Sequence, residues 1–330
     1  MMELVVATAV LLVLIWTFWS GLSDASNAIT TVVATRVLKP WQAVLLAAGG
    51  NLLGVFLGDA VVQTMGKGIV APGVVSAELV IAALLGGMVW ELVTYWRGIP
   101  ISETQVLIGA LVGAAVAAKG ADVVMFASLV EKILVPMAAA PIVAFAFVLL
   151  FTAVLLRLVG GLPVSMLNGA FRKLQLLSSA FFSVAHGAND GQKSAGVIAA
   201  LFLFYGMQGD GWGIPLWLKL AVFLALSLGT LFGGWRIVRT MGFRLARLKP
   251  WQGFAAETSA ALVVGTASVM GYPLSTSQTV SGSIMGVSAV KGKRAMNMSI
   301  AREILLGWIF TVPVSFILGF ASYSLVGILI

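Results

Sequence analysis

Residues 183–196 read S-V-A-H-G-A-N-D-G-Q-K-S-A-G and set the sole histidine (His186), an Asn189-Asp190 pair and Lys193 in a run, 174–205, that is otherwise apolar. Such a run is long enough to cross a bilayer. A charge at mid-bilayer costs roughly 2.5 to 3.5 kcal/mol on insertion scales, so ionisable groups kept there are read as functional. A similar patch, G-L-S-D-A-S-N-A at residues 21–28, carries Asp24 and Asn27. Carboxylate and amide oxygens suit a hard cation such as sodium, or relay protons. Asp24, Asn27, Asn189 and Asp190 are therefore expected to hold sodium, with Lys193 and Glu257 joining them in cation binding or coupling; Glu91 lies in a span as well. One histidine without cysteine or a second imidazole does not complete a zinc site.

Two further segments offer the opposite chemistry. Ser102, Glu103, Thr104 and Gln105 follow Pro100, and Ser275, Thr276, Ser277 and Gln278 follow Pro273. A helix that begins at such a point aims unpaired N–H groups and a positive dipole end at whatever lies in front of it. With hydroxyl donors added, Ser102, Thr104, Gln105, Ser275, Thr276, Ser277 and Gln278 form an expected oxyanion site. The plainer alternative is that these hydroxyls bond back to their own turns or hold helices together.

These residues need a membrane scaffold. With 60% hydrophobic and 10% charged residues in 330, the chain does not cover a soluble surface, and an all-α integral membrane protein follows. The first apolar run lacks a basic leader and a small-residue cleavage pattern, and reads as a retained span. Hydropathy divides the chain into ten elements, about 3–38, 41–64, 76–96, 100–118, 131–158, 174–205, 215–235, 250–270, 273–290 and 302–329. Elements one and six are too long for one plain helix, so each is expected to be broken or to run past the membrane. Elements four and nine are short and rich in Ser, Thr and Gly, and are expected to be discontinuous or re-entrant.

The chain also repeats itself. Asp24 and Asp190 are 166 residues apart, and G-I-P-I-S-E-T-Q-V-L-I-G-A-L-V-G at 98–113 lies opposite G-Y-P-L-S-T-S-Q-T-V-S-G-S-I-M-G at 271–286. Five elements per copy is an odd number, so if every element crosses the second copy must be inverted, giving repeats 1–160 and 161–330. Loop charges agree: fifteen of the 20 basic residues, Lys291, Lys293 and Arg294 among them, follow odd-numbered elements, against Lys67, Lys119, Lys132 and Lys219 on the other side. By the positive-inside rule both termini lie outside. K-P-W-Q occurs at 39–42 and 249–252 and reads as a Trp and Lys interface anchor. Asp59 is expected near a membrane edge. The four-residue spacings of Gly50, Gly54 and Gly58, of Gly109 and Gly113, and of Gly282 and Gly286 suit helix packing.

S-D-A-S-N-A-I-T-T-V-V-A-T-R, H-G-A-N-D-G-Q-K-S-A-G and the two P-x-S-x-x-Q-x-x-x-G segments resemble the inorganic phosphate transporter (PiT) family across nearly the whole chain. The resemblance implies an inverted-repeat transporter fold of two homologous halves and symport of inorganic phosphate with sodium or protons in the plasma membrane. No cofactor and no nucleic acid partner are expected, and a homodimer is left open. It also marks Asp24, Asn27, Asn189, Asp190, Ser102, Thr104, Ser275, Thr276 and Ser277 as transport-site positions. Three departures from the family pattern stand out: Ser23 replaces an asparagine, Gln105 and Gln278 replace histidines, and Glu103 replaces a small hydroxyl residue.

Other readings remain at this level. Sulfate or another tetrahedral oxyanion fits the same donors, with Glu103 as a possible acceptor for a phosphate proton. An intramembrane hydrolase using His186, Asp190 and a serine lacks a nucleophile elbow, and a passive channel does not need paired discontinuous segments. In the repeat, Asn27 is matched by Lys193: the ammonium either occupies a second cation position or simply pairs with Asp190.

Overall fold

The computed structural model describes residues 2–71, 73–161, 163–207, 214–290, 292 and 295–329, and Lys291, Lys293 and Arg294 lie outside them. The described residues are almost wholly helical, with two isolated bridges, Val70 to Val124 and Ala246 to Met296, as the only β pairing among them. The first half runs α1 (Met2–Ala34), α2 (Pro40–Leu53), α3 (Ala60–Lys67), α4 (Ala77–Arg97) and α5 (Glu103–Lys119). It closes with the short α6 (Phe126–Leu129), which passes through a π turn into α7 (Val135–Val159). The second half runs α8 (Val164–Phe204), α9 (Leu216–Thr230), α10 (Trp235–Arg239), α11 (Pro250–Val269), α12 (Thr276–Ala289) and α13 (Met298–Leu329). The ten hydropathy elements survive, two of them as bent pairs.

Elements one and six are not broken. With 33 and 41 residues, α1 and α8 are continuous and, at 1.5 Å per residue, about 50 and 60 Å long, well beyond a hydrocarbon core of about 30 Å. The breaks fall instead in elements two and seven, where α2 and α3 meet at 79° and α9 and α10 at 53°. Gly58, in the first bend, has φ +94°, a conformation that glycine adopts without steric cost. It therefore turns the chain rather than extending the packing face of Gly50 and Gly54.

Pairing of elements across the halves follows a two-fold pattern. α5 packs on α13 and α12 on α7; α1 packs on α9, and α8 on α2 and α3. Small residues permit these approaches. A Cβ on Gly113 would lie 2.1 Å from the Phe316 carbonyl oxygen of α13, and one on Gly286 2.8 Å from the Phe145 carbonyl oxygen of α7. Pro141 and Pro313, 172 residues apart, lie inside the two receiving helices. Gly113→Ala is accordingly expected to destabilise the fold by about 1–3 kcal/mol through overpacking, read as a lower melting temperature in detergent. A comparable loss is expected for Gly286→Ala.

Both K-P-W-Q segments start helices. Pro40 and Pro250 occupy the first turns of α2 and α11, where a missing N–H costs nothing. The Gln42 and Gln252 side chains accept from the Lys39 and Lys249 amides at 3.0 and 3.1 Å. Trp41 is exposed, as an interfacial anchor would be. Asp59, exposed at the bend, pairs with Lys219 at 2.5 Å.

Candidate functional site

α5 and α12 have 17 and 14 residues, about 25 and 21 Å of helix and shorter than a hydrocarbon core of about 30 Å. Each is preceded by an extended stretch and capped by its own serine: Ser102 Oγ accepts from the Gln105 amide at 3.1 Å, and Ser275 Oγ from the Gln278 amide at 3.2 Å. The two helix starts adjoin, since Thr104 Oγ1 donates to the Leu274 carbonyl at 2.9 Å. First-turn amides have no intrahelical partner, so two positive helix ends meet in the interior.

The polar patches of α1 and α8 pack against this junction. Ser277 Oγ donates to Asp24 Oδ1 at 2.9 Å and accepts from Asn27 Nδ2 at 2.9 Å. Thr276 Oγ1 donates to Asp190 Oδ2 at 3.1 Å. One turn of α12 thus touches both repeat-related aspartates. All five of these side chains are buried. Asn27 Oδ1 is buried without a hydrogen-bonding partner, the kind of oxygen that a cation satisfies.

Asp190 is the more heavily occupied carboxylate. Lys193 Nζ lies 2.5 Å from Oδ1 and His186 Nε2 3.0 Å from Oδ2. Hydrogen-bond direction can be traced through Asn51. Thr230 donates its hydroxyl proton to the Leu226 carbonyl, so its oxygen accepts from Asn51 Nδ2 at 2.8 Å. Asn51 Oδ1 then faces His186 Nδ1 at 2.9 Å, which must be the donor. Nε2, on the other side of the ring, lies 3.0 Å from Asp190 Oδ2 without hydrogen-bonding geometry. Asp24, His186 and Asp190 offer ligand atoms all within 4.8 Å of one another, but the cation already on Asp190 is the protein's own Lys193.

Other expected residues go elsewhere. Asn189 Nδ2 bonds Ser268 Oγ at 2.9 Å and the Tyr272 carbonyl at 3.2 Å, bracing the turn before α12. Glu257 accepts from Thr31, from Ser178 at 2.5 Å and from Gln175 at 3.4 Å, a separate buried cluster. Gln105 and Gln278 enter the caps through their amides, and Gln105 Oε1 is buried without a partner. Glu103 points its two oxygens at Ser20 and Ser23 of α1, so two of the three departures from the family pattern touch each other. It also lines a cavity of about 10 Å³ with Ser23, Asp24 and Glu91, and both oxygens of buried Glu91 lack partners.

Sequence reasoning passed over Asn51, Gln192, Gln175 and Ser20. Gln192 Oε1 accepts the Val61 amide at 2.9 Å, fastening the start of α3 to α8. A polar residue in an apolar run was the available signal for Asn51 at 49–51 and for Gln175.

A family model described as "Phosphate transporter family" matches residues 20–319. A "Probable low-affinity inorganic phosphate transporter" of Rhizobium meliloti (strain 1021) is 39% identical over 315 residues, covering 94% of this chain and 93% of that one. A protein of the same description from Bacillus subtilis (strain 168) is 32% identical over 333 residues, 99% of this chain and 100% of its own. Among solved structures, "The sodium-dependent phosphate transporter" shares the fold with a TM-score of 0.88 at 22% identity, covering 99% of this chain and 100% of that one.

Proposed function

Because this chain belongs to the phosphate transporter family, we propose that it imports inorganic phosphate across the plasma membrane by cation symport with alternating access. Repeats 1–160 and 161–330 then form two inverted halves with both termini outside. The family is one of transporters, which sets the hydrolase reading aside. The observation that carries the reading is the junction of α5 and α12. Two helix N-termini and the hydroxyls of Thr276 and Ser277 meet the side chains of Asp24, Asn27 and Asp190, so anion donors and cation ligands share one buried place.

Energetics require a cation. Dianionic phosphate entering against an inside-negative potential costs about 2.3 kcal/mol per charge per 100 mV, hence roughly 4.6 kcal/mol before any gradient. Asp24 with Asn27 Oδ1 fits sodium as an all-oxygen donor pair, and the structural neighbour's name supports sodium over protons as the coupling ion. Phosphate occupies the junction, taking over hydroxyls that now rest on the aspartates. Radiolabelled phosphate uptake into proteoliposomes tests this. Uptake is expected to follow an imposed sodium gradient, to stop when that gradient is removed and to resist excess sulfate. Uptake that ignores every cation gradient would refute symport.

A further inference from the structure

The two halves differ in charge at a repeat-related position where the first half has Asn27 and the second Lys193. Lys193 is not merely beside Asp190. Its Nζ lies 2.5 Å from Asp190 Oδ1 and 2.6 Å from the carbonyl oxygen of Leu274, in the extended stretch that leads into α12. A carboxylate oxygen and the carbonyl of an unwound segment are the donors with which broken-helix transporters coordinate a monovalent cation. The ammonium sits between them, held by its own chain.

Both oxygens of Asp190 already have protein groups on them. Oδ1 takes Lys193, while Oδ2 takes Thr276 at 3.1 Å and His186 at 3.0 Å. Asp24, its counterpart in the first half, has no lysine or arginine ion pair among the described residues and accepts the Ser277 hydroxyl on Oδ1. Beside it Asn27 Oδ1 is buried and unpartnered. Asn189 Oδ1, next to Asp190 in the second half, is buried and unpartnered as well, so what separates the halves is the built-in positive charge of Lys193 on one aspartate and its absence from the other. Glu103, itself absent from the second half, where Thr276 stands, shares a cavity of about 10 Å³ with Lys193, Trp16, Ser20, Thr104 and Ser194. That is room for about one water. The carboxyl brought by one departure and the ammonium brought by the asymmetry thus line one small cavity, together with Asp190.

We infer that the Lys193 ammonium is a tethered cation that fills the second of two repeat-related cation positions, so that phosphate moves with one mobile cation fewer than the oxygen framework would otherwise hold. The inference rests on the symport reading above and concerns its stoichiometry. The extra cation that an oxygen-bearing replacement would admit is sodium.

The full-length protein in liposomes tests it. Cations moved per phosphate are obtained from the membrane potential at which net phosphate flux reverses, under a sodium gradient at fixed pH and under a pH gradient at fixed sodium. Lys193→Asn is expected to move one sodium more per phosphate than wild type, with the Hill coefficient for sodium rising from about 1 to about 2. Lys193→Arg, which keeps the charge, is expected to retain the wild-type ratio. An unchanged ratio and unchanged sodium dependence in a transporting Lys193→Asn would overturn the inference. If that variant folds but does not transport, its melting temperature in sodium chloride against choline chloride decides. A second saturable sodium-dependent rise, absent from wild type and Lys193→Arg, is expected, and an identical sodium response in all three proteins overturns it. Wild type that takes up no phosphate under any cation gradient defeats the symport reading instead, whereas equal ratios in wild type and variant defeat only the tethered cation.

Discussion

Asp190→Asn is expected to lower the stability of the folded protein by about 3–5 kcal/mol, while Asp24→Asn leaves stability near wild type and abolishes sodium-driven uptake. The two aspartates are repeat mates, yet they do different work. Asp190 answers the buried Lys193 ammonium at 2.5 Å and His186 at 3.0 Å, and removing one member of a buried ion pair strands an uncompensated charge. Asp24 forms no such ion pair among the described residues; the Ser277 hydroxyl donates to it. Its loss removes a cation ligand without leaving a protein cation unpaired. Thermal melting in detergent, read beside proteoliposome uptake, separates the two effects. The double variant Asp190→Asn with Lys193→Asn removes both charges and is expected to recover much of the lost stability. Equal melting temperatures for Asp24→Asn and Asp190→Asn would contradict this division.

Much of this arrangement is legible in the sequence because the membrane makes polar residues conspicuous. Asp24, Asp190 and the serine-rich segments stand out against apolar runs, and their matched spacing exposes the repeat without any structure. Helix starts at Glu103 and Thr276 also follow from Pro100 and Pro273. Less legible is which polar residues meet. The bonds of Asn27 to Ser277 and of Glu103 to Ser20 span 250 and 83 residues, and no local pattern encodes such pairings. The positions of the bends are hard to read for a related reason. The length and polar patches of α1 and α8 leave open whether they break or run past the membrane; neighbouring helices satisfy those side chains, so the backbone has no need to unwind and the helices run on. The true bend at residues 57–59 is marked only by Gly58 and Asp59 in G-D-A, a weak signal inside an apolar run. Glu257 shows the same limit: its place in a span is plain from hydropathy, while its partners Thr31, Gln175 and Ser178 come from α1 and α8.

Ser277→Ala is expected to raise the phosphate concentration needed for half-maximal uptake roughly ten- to hundredfold, the equivalent of losing a hydrogen bond to a charged group worth about 1.5–3 kcal/mol. Ser277 occupies the pivot of the site. Its hydroxyl donates to Asp24 Oδ1 and accepts from Asn27 Nδ2, both at 2.9 Å, and it belongs to the first turn of a helix whose amides face the junction. Removing the hydroxyl therefore takes a donor from the anion and a link from the cation ligands at once. Ser275→Ala provides the contrast. Its hydroxyl caps the Gln278 amide, so its loss is expected to cost about 1 kcal/mol of helix stability while affecting phosphate dependence less than Ser277→Ala. Phosphate and sodium titrations of uptake for both variants distinguish the roles. If Ser277→Ala shifts neither titration, Ser277 is a packing residue and the anion is held elsewhere. A shift in the sodium curve alone would move Ser277 from the anion site to the cation site. Shifts in both curves are the expected outcome for a hydroxyl through which cation and anion binding are coupled.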